Sequence, residues 1–357
     1  MSAGKHPSTF AIAATYIGTV VGAGFASGQE ILQFFTYFGL FSIPAILAAG
    51  YLFFFFGSII LRLGHHLHAR SHLDVIHHSA GPVLGTVIDG IITFFLFGAL
   101  TAMAAGAGAI FGQQFGLPPL LGSALITVIS LATVLLGISG VISAVSFVVP
   151  ILIVSVIGIT VGTLVVTPPN LESIRLWAQP AAAAVPSWPL SALTYTSYNL
   201  ILSVAVLAPL GAVARDEANL KKAALYGAIG LVVGALSINL ALLGNLTAAG
   251  FEIPMAFVAG LFAAPVQVGY VIVLLAEIYT TAVGSLYGFG ARVADPATPR
   301  FKWVVLGTAG IALIASQFGF STLVRYLYSA VGMAGLLMLA SLAWGYFRVN
   351  LLPQPTP

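Results

Sequence analysis

The run Gly18-Thr-Val-Val-Gly22-Ala-Gly24-Phe-Ala-Ser27-Gly28-Gln29-Glu30 lies inside an otherwise apolar segment, residues 8–36. Four glycines, a serine, a glutamine and a glutamate interrupt what would be a continuous helix. Glycine costs helix stability and permits unwinding. In lipid, unwound backbone is tolerated only where it is buried in protein or lines a cavity. There, freed carbonyls can coordinate a cation and freed amides can bind an anion. The alternative is close helix packing, because Gly18/Gly22 and Gly24/Gly28 have GxxxG spacing. The density of polar groups beside the glycines favours a broken helix.

Outside this run the chain is written for lipid. Of 357 residues, 59% are hydrophobic and 6% charged, against about 25% charged in a soluble domain. The runs Ala45–Leu61, Leu121–Leu136 and Val141–Val166 carry no charge, and about 20 apolar residues cross the hydrocarbon layer as a helix. A barrel would show weak alternating segments of about ten residues instead. The expected fold is therefore all-α and integral to the membrane. Lys5 and His6 precede an apolar stretch that runs past Gly24 without a polar cleavage region, so no removable signal peptide is expected. The absence of cysteine excludes disulfides and thiol catalysis.

Hydropathy predicts ten spans, near 8–36, 40–63, 84–113, 118–137, 140–166, 186–212, 221–247, 257–290, 302–318 and 321–347. With the N-terminus inside, the inner loops hold Lys5, Arg62, Arg70, Arg215, Lys221, Lys222, Arg292, Arg300, Lys302 and Arg348, ten of the twelve basic residues. Only Arg175 and Arg325 fall outside. This satisfies the positive-inside rule with both termini cytoplasmic, in a bacterial inner membrane. The net charge of +3 makes no case for a nucleic-acid partner; the expected surroundings are the bilayer and a small-molecule substrate.

Shifting the chain by 178 residues lays the first five spans on the last five. The expected organisation is one transmembrane domain over 1–357, with repeats at about 8–166 and 186–347. Five spans per half place the second half inverted in the membrane, an arrangement typical of transporters. The loops 167–187 and 248–256 are either lids or plain connections.

The shift places Tyr198–Leu202 opposite Val20–Gly24, so a second break is expected in the sixth span, where Tyr195, Tyr198 and Asn199 could touch a solute. The alternative there is a polar interfacial helix start. In the eighth span, Glu277 is costly in lipid and marks function by default. Glu277 and Thr281 share a helical face beside Thr280, and hydroxyls plus freed carbonyls form an oxygen-only site of the kind hard cations prefer. Glu277 could instead carry a proton, since burial favours the neutral carboxyl, or be structural. Glu30 and Arg325 are each hard to place in lipid and could pair as an outer gate; independent snorkelling is the alternative. Asp89 is ambiguous. Among the histidines, His65, His68 and His72 would share a helical face and could hold a metal, although an interfacial basic helix explains them as well. No catalytic triad, metalloprotease motif or nucleotide loop is present, so no enzyme is expected.

The Gly18–Glu30 run resembles the first-helix signature of the YkvI-like bacterial membrane proteins, which are similar to the amino acid–polyamine–organocation superfamily. The resemblance implies the LeuT fold, five plus five helices with helices 1 and 6 broken. In its sodium-coupled members one sodium is held by carbonyls of the first helix and two adjacent hydroxyls of the eighth. By resemblance the ligands here are the Gly18 and Val21 carbonyls, the Thr280 and Thr281 hydroxyls, and the Glu277 carbonyl. The substrate would lie against Gly22, Ala23, Gly24 and Ser27, with Tyr195, Tyr198, Asn199 and Glu277. The charge signs of Glu30 and Arg325 look swapped relative to the neurotransmitter-transporter branch. Phe25 stands where a second sodium site would use asparagine, so at most one sodium is expected, with no other cofactor. The fifth span has no lysine, which favours sodium over protons. The expected function is sodium-coupled symport of an amino acid or related solute by alternating access. A proton-coupled transporter using Glu277 and a non-transporting sensor are the alternatives.

Overall fold

A computed structural model describes residues 7–136, 148–214 and 216–351. Among these the chain is helical, with one isolated bridge between Phe38 and Ala178. The first span comprises α1 (Thr9–Val20), α2 (Ala23–Ala26), α3 (Gln29–Ile31) and a π turn at Leu32–Thr36. There follow α4 (Ser42–His66), α5 (His72–Phe115), α6 (Pro119–Leu135), α7 (Val148–Val166) and the short α8 (Leu171–Leu176). The second half holds α9 (Trp188–Ala212), α10 (Glu217–Leu243), the short α11 (Pro254–Gly260), α12 (Ala264–Val293) and α13 (Pro299–Ala315). It closes with α14 (Phe320–Leu323), a π turn at Val324–Tyr328, and α15 (Ser329–Leu351).

Among the described residues seven stretches are long and apolar enough to cross a membrane; Thr9–Val20, Pro119–Leu135 and Ile151–Val166 are apolar but shorter. Length alone thus qualifies seven of the ten expected spans, the first being cut short by its own break. The expected start of the fifth span at residue 140, and Lys5 and Arg215 of the charge pattern, lie outside the described residues. The eighth span starts at Ala264 rather than 257, because Pro254–Gly260 forms a separate short helix.

Local chemistry sets the helix starts. Ser8 accepts the Ala11 amide at 3.1 Å, and Asp216 the Asn219 amide at 2.8 Å. Proline occupies the first turn of α6, α9, α11, α12 and α13, where its missing N–H is harmless. Gly81 (φ 75°) followed by Pro82 bends α5 into a short helix and the span proper. His68 takes a left-handed backbone (φ 46°) just beyond the end of α4. His65 and His72 therefore belong to different helices, and the shared histidine face expected from spacing does not form. Among the described residues no three acidic or histidine side chains converge on a metal site.

Small residues bring α4 and α9 together. A methyl group on Gly64 would overlap the Ala208 carbonyl, and one on Gly211 the Leu61 carbonyl. Such reciprocal contacts let backbones approach closely. On the outer surface, Leu125, Val128, Val161, Ile272, Ile311 and Trp344 are exposed, consistent with lipid as their solvent.

The sixth span is not broken. α9 runs uninterrupted from Trp188 to Ala212. Its polar residues bond back along their own helix: Thr194 to the Leu190 carbonyl (2.8 Å), Asn199 to Tyr195 (2.9 Å) and Ser203 to Asn199 (2.8 Å). The first span has glycines at its break, whereas α9 has none before Gly211.

Candidate functional site

The helical ladder of the first span ends with Val21 N–H donating to Ile17 and resumes with Ala26 N–H donating to Gly22. Val21 (φ −74°, ψ 102°) and Gly22 (φ −122°, ψ −173°) are extended. The carbonyls of Gly18 through Val21 and the amides of Gly22 through Phe25 thus stand outside the i→i−4 ladder. The Thr281 hydroxyl lies on Gly22, 3.8 Å from where a β-carbon would be. The structure therefore brings Gly22 at the break against Thr281 of the eighth span. Thr280 is buried and donates to the Glu277 carbonyl at 3.0 Å, which engages that carbonyl locally. The Glu277 carboxyl is buried, and its Oε2 has no hydrogen-bond partner.

On the other side of the break the chain folds back on itself. Ser27 donates to the Gly24 carbonyl (2.8 Å) and accepts the Gln29 amide (3.2 Å). Its hydroxyl shapes the turn. Gly28 is left-handed (φ 81°), and this reversal carries Glu30 inward. The Glu30 carboxyl packs on Gly24, where a methyl group would overlap it, and accepts the Tyr198 hydroxyl at 2.7 Å. The freed amides, read from the sequence as able to bind an anion, are faced at Gly24 by this resident carboxyl. Ala23 is buried beside it. Asn199, expected to touch the solute, directs its amide to its own helix.

The expected Glu30–Arg325 gate is not formed. Glu30 is buried and turned toward Tyr198, whereas Arg325 is partly exposed, donates to the Ala181 carbonyl (2.9 Å) and lies over the Tyr326 ring. Glu30 is engaged by Tyr198 and Arg325 by Ala181, partnerships that residue spacing does not carry.

Rings surround Tyr198, the hydrogen-bond partner of Glu30. Tyr198 lies 5.4 Å from Phe34, 5.4 Å from Tyr195, 5.9 Å from Phe95 and 5.1 Å from Tyr328 between centroids. Phe34 and Tyr328 come from the two π turns, a distortion frequent at functional sites. Sequence reasoning missed Phe34, Phe95 and Tyr328, which look like ordinary core aromatics. The nearest void, lined by Phe25, Phe35, Gly50, Phe53 and Tyr195, holds about 10 Å³, at or below the room one water needs.

Latches close both ends. At the end rich in basic residues, Asp89 binds Arg292 and, at 3.0 Å, His72, while Arg292 reaches Thr93 at 3.2 Å. Arg62 pairs with Glu217 and donates to Tyr346 at 2.7 Å. At the opposite end, Gln113 exchanges two hydrogen bonds with the Ile253 backbone (3.0 and 3.1 Å). Glu252 accepts the Ser321 amide (2.8 Å) and hydroxyl (2.9 Å). The Met255 amide donates to Ser27 at 2.9 Å and the Ala184 amide to Gln33 at 2.9 Å. Both long loops therefore pack on the first span.

The architecture is that of the LeuT-like membrane proteins. It resembles MhsT bound to L-phenylalanine, with a TM-score of 0.63 at 16% identity over 94% of this chain and 88% of that one. It also resembles inward-facing Mhp1 (0.59, 17%, covering 96% and 77%) and a Na+-coupled sialic acid symporter (0.54, 15%, covering 94% and 85%). At these identities the likeness is one of fold. No family model matches the sequence. The membrane protein YkvI of Bacillus subtilis (strain 168) is 31% identical over 333 residues, 93% of this chain and 94% of YkvI. YyaD of the same organism is 32% identical over 334 residues, covering 91% and 93%. The chain belongs to the YkvI-like family of bacterial membrane proteins.

Proposed function

We propose that the protein is a secondary transporter that moves a small organic solute by alternating access coupled to sodium. The observation that carries this is the extended break at Val21–Gly22 set against Thr281. Sodium would be held by the Gly18 and Val21 carbonyls and the Thr280 and Thr281 hydroxyls, with Glu277 adjacent. These are oxygens only, and hard cations take such ligands. Bound there, the ion would supply a positive charge that ties α1 to α12. It would shift the balance of facing states only through its different affinity for them.

The solute would bind on the far side of the break, among Gly24, Glu30, Tyr195 and Tyr198. The basic end would face the cytoplasm of a bacterial inner membrane. The two halves, about 8–166 and 186–347, would rock against each other as repeats of one transport domain. Fold neighbours that are symporters support transport as the class of activity.

A second coupling ion is favoured by one observation, the unpartnered Glu277 Oε2, which suits a proton. Melting of the purified protein in sodium against potassium, at matched ionic strength and pH, separates the two. A ligand bound only by the folded state stabilises it by about 2.7 kcal/mol at 100 times its Kd. Sodium is expected to raise the melting temperature, and Thr281→Ala to abolish the rise. No sodium-specific rise, or one untouched by Thr281→Ala, would reject the sodium site. A response to pH lost in Glu277→Gln would then assign coupling to protons.

A further inference from the structure

We infer that the solute is cationic: the site takes a small organic ammonium, with the Glu30 carboxylate as counter-ion and the rings of Phe34, Phe95, Tyr195, Tyr198 and Tyr328 as walls. This rests on the transport-site reading above and names the substrate class for it.

Three independent features point the same way. The first is charge. Glu30 is 5% exposed, and its carboxyl lies on the open backbone at Gly24. The ion pairs among the described residues are Arg62–Glu217, His66–Glu217, His72–Asp89 and Arg292–Asp89, so none serves Glu30. An ionised carboxylate buried without a cation is unstable unless it is paired. The Tyr198 hydroxyl supplies one hydrogen bond and no charge. A solute carboxylate placed at the same amides would compete with the Glu30 carboxyl for that space.

The second is the wall. Phe95 and Tyr328 (5.2 Å), Phe34 and Tyr195 (5.7 Å), and Tyr198 with its neighbours form a continuous aromatic enclosure. Ring faces attract organic cations. A bare alkali ion prefers several oxygens, which the Gly18–Val21, Thr280 and Thr281 side of the break offers instead. The two sides of one break thus have different cation chemistries, suited to an ion and an ammonium.

The third is an open hydrogen-bonding group. The Tyr195 hydroxyl is buried and makes no hydrogen bond of normal geometry, and its ring lies 5.4 Å from that of Tyr198, the partner of Glu30. Its lone pairs can accept an N–H. In this closed structure the carboxyl and the rings fill the space themselves, so the ammonium enters when one end opens and displaces the side chain from Gly24.

The test is thermal unfolding of the purified full chain at fixed sodium. Tetramethylammonium, n-butylammonium and phenethylammonium are titrated against pentanoate, 3-phenylpropionate and L-phenylalanine. At least one ammonium is expected to raise the melting temperature saturably, with no rise from either carboxylate. Glu30→Gln should fold as well as the parent and bind that ammonium at least tenfold more weakly. Tyr198→Phe, which keeps the ring, should weaken it about threefold. If Glu30→Gln fails to fold, Gly24→Ala serves in its place: the added methyl pushes the carboxyl aside and should weaken the ammonium likewise.

The inference is overturned if no ammonium binds, if a carboxylate or the zwitterion binds better than every ammonium, or if the substitutions leave ammonium affinity unchanged. Counterflow in proteoliposomes separates this from the transport reading. Glu30-dependent binding without flux keeps the cationic site and removes transport. Flux of an anion or zwitterion indifferent to Glu30→Gln keeps transport and removes the cationic site.

Discussion

Gly28 and Gly22 sit six residues apart in one broken helix and do different work. Gly28 holds φ at 81°, and a β-carbon there would lie 2.7 Å from Met255 Cγ. The left-handed conformation costs an L-residue about 1–2 kcal/mol, before the contact with α11 is counted. Gly28→Ala is therefore expected to lower the melting temperature by several degrees. Gly22 is extended, which any residue tolerates, and a methyl there meets only the Thr281 hydroxyl at 3.8 Å. Gly22→Ala should fold like the parent and alter only the sodium response. Equal stability of the two variants would show that Gly28 does not set the turn. Residue types were informative at this scale, since glycines and a glutamate in an apolar run announced a break. Partners were not. Glu30 and Arg325 read as a pair by depth, yet the turn at Gly28 aims one inward at Tyr198 while the other reaches Ala181.

At the scale of elements, the helices are held by latches at their ends. Asp89 joins α5, its short His72 helix and α12 through His72 and Arg292. The group is partly exposed, so its loss should cost about 1–2 kcal/mol, between exposed and buried pairs. Asp89→Asn is expected to speed amide exchange in the last turns of α12, around 285–293, while the Glu252 end stays protected. Gln113 holds the Ile253 backbone at the other end in both directions. Gln113→Ala strands a backbone donor and acceptor, costing about 1–3 kcal/mol, and faster exchange should appear in α11 alone. Uniform change across the protein would contradict either assignment. Helix existence was legible from hydropathy because burial in lipid demands it. The continuity of α9 was not, because Thr194, Asn199 and Ser203 each find a carbonyl one turn back, whereas a repeat shift predicts only position.

At the scale of the molecule, latches join the helices at both ends, and the void beside Phe25, Phe35 and Tyr195 holds about 10 Å³. A solute can reach the break only if one set of latches opens. The chain has no cysteine, so a single Ala23→Cys reports that opening cleanly. Adding Asp89→Asn should increase its labelling by an impermeant thiol reagent from the basic side. Adding Glu252→Gln should increase labelling from the opposite side. Labelling that rises from one side in both backgrounds would be inconsistent with two separate gates.

The sequence by itself determined that the chain is all-α and lives in lipid and that its first span breaks. Those follow from composition and glycine placement, which act locally along the chain; the pairing of Gly18 and Val21 with Thr280 and Thr281 is what the family resemblance implies. Only the tertiary structure decided that α9 stays whole, that His65 and His72 part company, and that Glu30 turns onto Gly24 within a ring of aromatics from α5, α9 and the two π turns. These depend on single backbone dihedrals, at His68 and Gly28, and on side chains that are distant in sequence, and no local pattern encodes where such elements meet.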